Sequence, residues 1–81
     1  MENMKKSHKI SDRDFKIISK VLEKNRPELV SNKPEMLKEI AEAEELAKTV
    51  DNKGLRGSFI YLRNFFARYV GEPEIELEDL K

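Results

Sequence analysis

Three stretches of the chain repeat apolar residues every three or four positions, the spacing that gives a helix one buried side. In the first, Phe15, Ile18, Val21 and Leu22 share an arc, with Ile17 at its edge. In the second, Met36, Ile40, Ala43, Ala47 and Val50 do so, with Leu46 beside them. The third stretch, Gly54 to Gly71, holds most of the aromatic rings, three arginines and no acidic residue. Turned at about 100° per residue, it places Leu55, Phe59, Leu62, Phe66 and Val70 on one arc, flanked by Phe65 and Tyr69. That stripe is wide enough to face a core.

Polar residues and prolines set the boundaries. Ser11 is suited to cap the first helix, with Asp14 three residues on and Asp12 beside it at the positive end of the helix dipole. Pro27 disfavours helical geometry at Arg26 and ends that helix. Residues 27–32 read as a connection with room for one helical turn, anchored by Leu29 and Val30. Ser31 or Asn32 opens the second helix, with Pro34 tolerated in its first turn. Asp51 to Gly54 is turn chemistry, and Gly71 followed by Pro73 closes the third helix. The predicted fold is all-α: a compact three-helix bundle over residues 10–71, with an extra turn allowed between the first two helices. A disordered basic lead-in is expected over residues 1–9 and an acidic tail over residues 72–81.

Composition changes this picture little, but charge order changes it more. At 81 residues the chain is one small domain, and such a domain buries only about 60% of the surface its unfolded chain exposes. It has no cysteine, no apolar run near the roughly 18 residues of a membrane span and no signal-like start, so a cytoplasmic location is expected. The net charge of zero conceals alternation. Residues 1–26 carry eight bases and four acids, residues 27–51 three and seven, residues 52–71 four and none, residues 72–81 one and five. Opposite blocks can neutralise each other in the fold, or the two basic blocks can join into one positive field.

Catalytic chemistry is poorly supplied. His8, the single histidine, falls in the lead-in and reads as a solvated residue. Ser11 and Ser31 read as caps and Ser58 as a small helix residue, so no serine has a base to activate it. No loop has calcium-ligand spacing, and Gly54-Leu55-Arg56-Gly57 lacks the lysine of a phosphate loop. No enzyme activity, cofactor, metal or small-molecule substrate is expected.

The remaining arc of the third helix carries Arg56, Ile60, Tyr61, Asn64, Ala67 and Arg68, with Arg63 at the border. Apolar groups set among cations resemble a contact surface with a charged rim. Arg56, Ile60, Tyr61, Arg63, Asn64 and Arg68 are therefore the candidate partner-binding residues. The expectation is a small adaptor or regulatory protein that binds another protein, a second copy of itself (a homodimer) being one such partner. The alternative is a helix-turn-helix-like nucleic-acid binder, with the arginines on phosphate and Asn64 on a base edge. An acidic leading helix and a pI near 6.6 weaken that alternative.

Overall fold

Each of the three long helices begins where its polar cap stands. In the computed structural model, which describes residues 8–80, helix α1 (Asp12–Asn25) follows Ser11, whose hydroxyl accepts from the Asp14 N–H at 3.1 Å. Residues 1–7 of the lead-in expected over residues 1–9 lie outside the described residues, as does Lys81. Pro27 opens a one-turn helix, α2 (Pro27–Val30), in the connection where a single turn was predicted. Asn32 caps α3 (Lys33–Thr49), and Asn52 caps α4 (Lys53–Val70), each side-chain oxygen accepting a backbone N–H at 3.1 Å. Gly71 takes φ +88°, so that the N–H groups of Gly71 and Glu72 both return to the Ala67 carbonyl. A side chain at that φ is strained, which is why glycine ends α4.

The fold is all-α. Three long helices and the single turn of α2 make up its helical body, and a short 3₁₀ turn (Leu77–Asp79) completes it; the described residues contain no strand. Helix α3 runs against α4 with Met36, Ile40, Ala43 and Ala47 buried, the face its spacing predicts. Its two alanines let the backbones approach closely. Helix α1 packs over another side of α4 through Phe15, whose ring lies 5.4 Å from Phe65 and 5.9 Å from Tyr69. Ile10, Leu29, Met36, Ile40, Phe65, Phe66 and Ala67 form one core cluster, with Ile18 and Leu22 against it. Helix α4 is therefore the central rod, touched by α1, by α3 and by both ends of the described chain.

That central position corrects the predicted inward faces. Leu55 and Leu62, expected inside, are 50% and 44% exposed. Val21 and Leu46, expected on or beside the buried faces of their helices, are also exposed. Phe66 is buried as predicted, and Phe59 and Val70 partly so.

Candidate functional site

The six candidate residues of α4 do not form an outward surface. Ile60 and Asn64 are 0% exposed and Arg63 only 7%. Arg56, Tyr61 and Arg68 are half-buried and held by partners within the chain. The expectation of an exposed contact face made by Arg56, Ile60, Tyr61, Arg63, Asn64 and Arg68 is corrected. Two segments of irregular backbone cover that side of the helix, and irregular backbone needs polar partners when it is buried.

Asn64 is the hub of this covering. Its Nδ2 donates to the His8 carbonyl at 2.9 Å and the Ile75 carbonyl at 2.7 Å. Its Oδ1 accepts from the Ile75 N–H at 3.0 Å and from Arg63 Nη1 at 2.9 Å. Every hydrogen-bonding position of the amide is used. Arg63 continues the network, donating to the Pro73 carbonyl at 2.6 Å and through Nε to Glu44 of α3 at 2.7 Å. The two chain ends also hold each other: Glu76 accepts the His8 N–H at 3.0 Å, and Glu74 accepts the Ile10 N–H at 2.9 Å. The C-terminal segment is thus an extended arm laid on α4.

His8 is not a solvated tail residue. Its imidazole rests against Gly57, where an added Cβ would come within 2.8 Å of Nε2. Glycine at 57 is what admits the ring. The ring's Nδ1 lies 3.4 Å from the Glu76 carboxylate that already holds the His8 backbone.

Towards α1 the bonds are ionic and phenolic. Arg68 donates to the Ile10 carbonyl at 3.1 Å and to Asp12, and its guanidinium carbon lies 4.7 Å from the centre of the Phe15 ring. This arginine holds the Asp12 carboxyl below its ordinary range, by hydrogen bond first and charge second. Tyr61 donates to Asp14 at 2.6 Å, which with partial burial and the carboxylate's charge pushes the phenol up to about 12. Tyr69 donates to Glu23 at 2.8 Å and is raised for the same reasons. The basic block over residues 52–71 meets the acidic block over residues 27–51 in the pair Arg63 with Glu44, whereas Arg68 with Asp12 joins two blocks that are both basic on balance.

What α4 leaves open is the arc between its α1 side and its α3 side, and Leu55, Ser58 and Leu62 occupy it. Ile17 and Val21 of α1, 51% and 55% exposed, follow Asp14 at i+3 and i+7. They stand on the flank of α1 nearest Tyr61, towards the open half of α4. On α3, Glu44 points to the side of Arg63 and the terminal arms, whereas Leu46, 46% exposed, lies about 160° round the helix on the opposite flank. Leu55, Leu62, Ile17, Val21 and Leu46 therefore border one side that the described residues leave uncovered. Spacing alone assigned most of these residues to the core. The available signal was that α4 is apolar or uncharged nearly all round, the mark of a central helix whose exposed arc is whatever its neighbours fail to cover.

The rest of the surface offers little chemistry. Among the described residues no group of three His, Cys, Asp or Glu is placed to hold a metal ion. No described helix is long and apolar enough to cross a membrane. A shallow recess of about 680 Å³ between α1 and the end of α4 is lined by cations and carboxylates together, including Lys16, Arg68, Asp12 and Glu23. No protein-family model, curated protein or solved structure matches this chain.

Proposed function

We propose that this chain is a small non-enzymatic interaction module, an adaptor or regulator, that receives a partner protein on the open side bordered by Leu55, Leu62, Ile17 and Val21. The observation that carries this reading is the inversion of α4. Polar Arg63 and Asn64 are enclosed while Leu55 and Leu62 stand half exposed on the side that no described element covers. Single exposed apolar residues are common, but a bordered group of them is characteristic of interaction surfaces. The rim sets the partner's chemistry. Arg13 stands one turn before Ile17 and Lys24 one turn after Val21 on α1, both exposed and in no ion pair among the described residues. They select a helix whose apolar side chains are edged with carboxylates.

The nucleic-acid alternative loses its readers, since Arg63 and Asn64 are engaged inside the fold. The test is affinity capture followed by reconstitution with the purified partner. Leu62→Asp is expected to weaken binding tenfold or more, and Glu78→Lys on the 3₁₀ turn to leave it unchanged. Binding indifferent to both Leu62→Asp and Val21→Asp would sink the reading, as would salt-sensitive binding to random DNA or RNA in place of protein.

A further inference from the structure

The recess between α1 and the end of α4 is better supplied for binding than for catalysis. Its volume of about 680 Å³ is that of a small-ligand site, and Phe15 and Tyr69 give it an aromatic wall. Lys16 and Lys20, one turn apart on α1, form its outer bank, exposed and in no ion pair among the described residues. Asp12 and Glu23 also line it, but Asp12 accepts from Arg68 and Glu23 from the Tyr69 hydroxyl. Three cations against two carboxylates leave the recess one positive charge in excess.

Ser19 supplies a second observation. It lines the same recess, is 9% exposed, and its Oγ is buried with no hydrogen-bond partner among the described residues. A helical serine ordinarily returns its hydroxyl to the carbonyl four residues back, as Ser58 does to Gly54 at 3.2 Å and Ser31 to Pro27 at 3.0 Å. Ser19 does not, although a buried hydroxyl without a partner costs stability. Its donor is left for whatever enters, and a hydroxyl turns about one bond to meet it.

We infer that this recess binds a small aromatic carboxylate, its ring against Phe15 and Tyr69 and its anion held by Lys16, Lys20 and the Ser19 hydroxyl. The ring meets the aromatic wall, and two ammonium groups with one hydroxyl donate to the carboxylate oxygens. A single excess positive charge matches a monoanion. It does not match a phosphate monoester, which is close to doubly charged at neutral pH. Val21 lies about 140° round α1 from Lys16, so this site is separate from the open side and independent of the reading given for it.

The experiment is a titration of the full chain with naphthoate, followed through the backbone amide shifts by NMR. Saturation is expected at millimolar naphthoate or below, with the largest shifts from Phe15 to Glu23 and at Arg68 and Tyr69. Acetate, which lacks the ring, and naphthyl methanol, which lacks the charge, are each expected to bind about tenfold more weakly. Lys16→Gln/Lys20→Gln is expected to weaken naphthoate about tenfold, whereas Lys33→Gln/Lys38→Gln, removing the same charge from α3, leaves it unchanged. Ser19→Ala separates binding from packing. It is expected to weaken naphthoate several-fold while the thermal midpoint of the ligand-free protein holds or rises. The absence of saturation at tens of millimolar naphthoate overturns the inference, as does acetate or naphthyl methanol binding equally well. Affinity indifferent to the Lys16/Lys20 variant overturns it too, as does Ser19→Ala that lowers the midpoint and leaves affinity unchanged. Naphthyl phosphate bound more tightly than naphthoate would overturn the assignment to a monoanion.

Discussion

Two sides of α4 have opposite fates. On one, Arg63 and Asn64 are enclosed by residues 8–10 and 73–76 and bonded to their backbone and carboxylates. On the other, Leu55 and Leu62 meet no covering element among the described residues. Side-chain hydrophobicity predicts the reverse arrangement. The difference lies in what each side faces. Extended segments bring unpaired N–H and C=O groups, and only polar side chains can satisfy these away from water. The leucine side has no such obligation and remains open because α1 and α3 are set apart around it.

Replacing the polar hub is expected to have the largest effect. Asn64→Leu keeps the branching at Cγ but strips partners from the His8 carbonyl, both backbone groups of Ile75 and Arg63. With about 1–3 kcal/mol for each of these groups left unsatisfied, urea unfolding is expected to show a loss of about 4 kcal/mol or more. A loss under about 1 kcal/mol would mean that the arms contribute little and that the two sides differ less than the hydrogen bonds imply.

Ile60 and Leu62 make the comparison within two residues. Ile60→Ala, at a fully buried position, is expected to lower stability by about 2–5 kcal/mol, measured by the same unfolding.

Tyr61→Phe is expected to cost about 1 kcal/mol near neutral pH through the lost bond to Asp14. Its signature is in the pH profile. The folded phenol titrates at about 12, above its unfolded value near 10. Its contribution is whole below about pH 10 and is lost as pH rises towards 12. The gap between wild type and Tyr61→Phe in urea midpoint should therefore narrow over that window, Tyr69 being common to both proteins. A gap constant to pH 12 would show that the hydroxyl is not held by the carboxylate.

The smallest effect belongs to the open side. Leu62→Gln should change monomer stability by no more than about 0.5 kcal/mol, as befits a half-exposed position. Dilute protein is the proper sample, so that association does not enter. A large loss would place Leu62 in the core and remove the contrast between the two sides.

The legible parts of this fold are those governed by neighbours in sequence. Ser11 and Asn32 act as caps because a side-chain oxygen reaches an N–H three residues on, whatever else surrounds them. Gly71 ends α4 through a local φ, and Pro27 interrupts α1 through a local clash. The alternation of apolar residues on α3 also identified its buried face, because a single neighbour, α4, covers it. The candidate site was not legible in the same way. Tyr61 pairs with Asp14 across 47 positions and Asn64 with His8 across 56, distances over which periodicity carries no information. Helix α4 has neighbours on several sides, so a division into one inner and one outer arc could not describe it.

By itself the sequence determined an all-α chain, the places where its helices start and stop, and the small-residue face by which α3 approaches α4. These follow from backbone sterics, short-range capping and a helical period, all fixed within a few residues. Long-range packing set the rest: the central helix encloses an arginine and an asparagine and exposes two leucines. That outcome depends on where both chain ends come to rest, since buried irregular backbone draws polar groups inward and an uncovered arc leaves apolar ones outside.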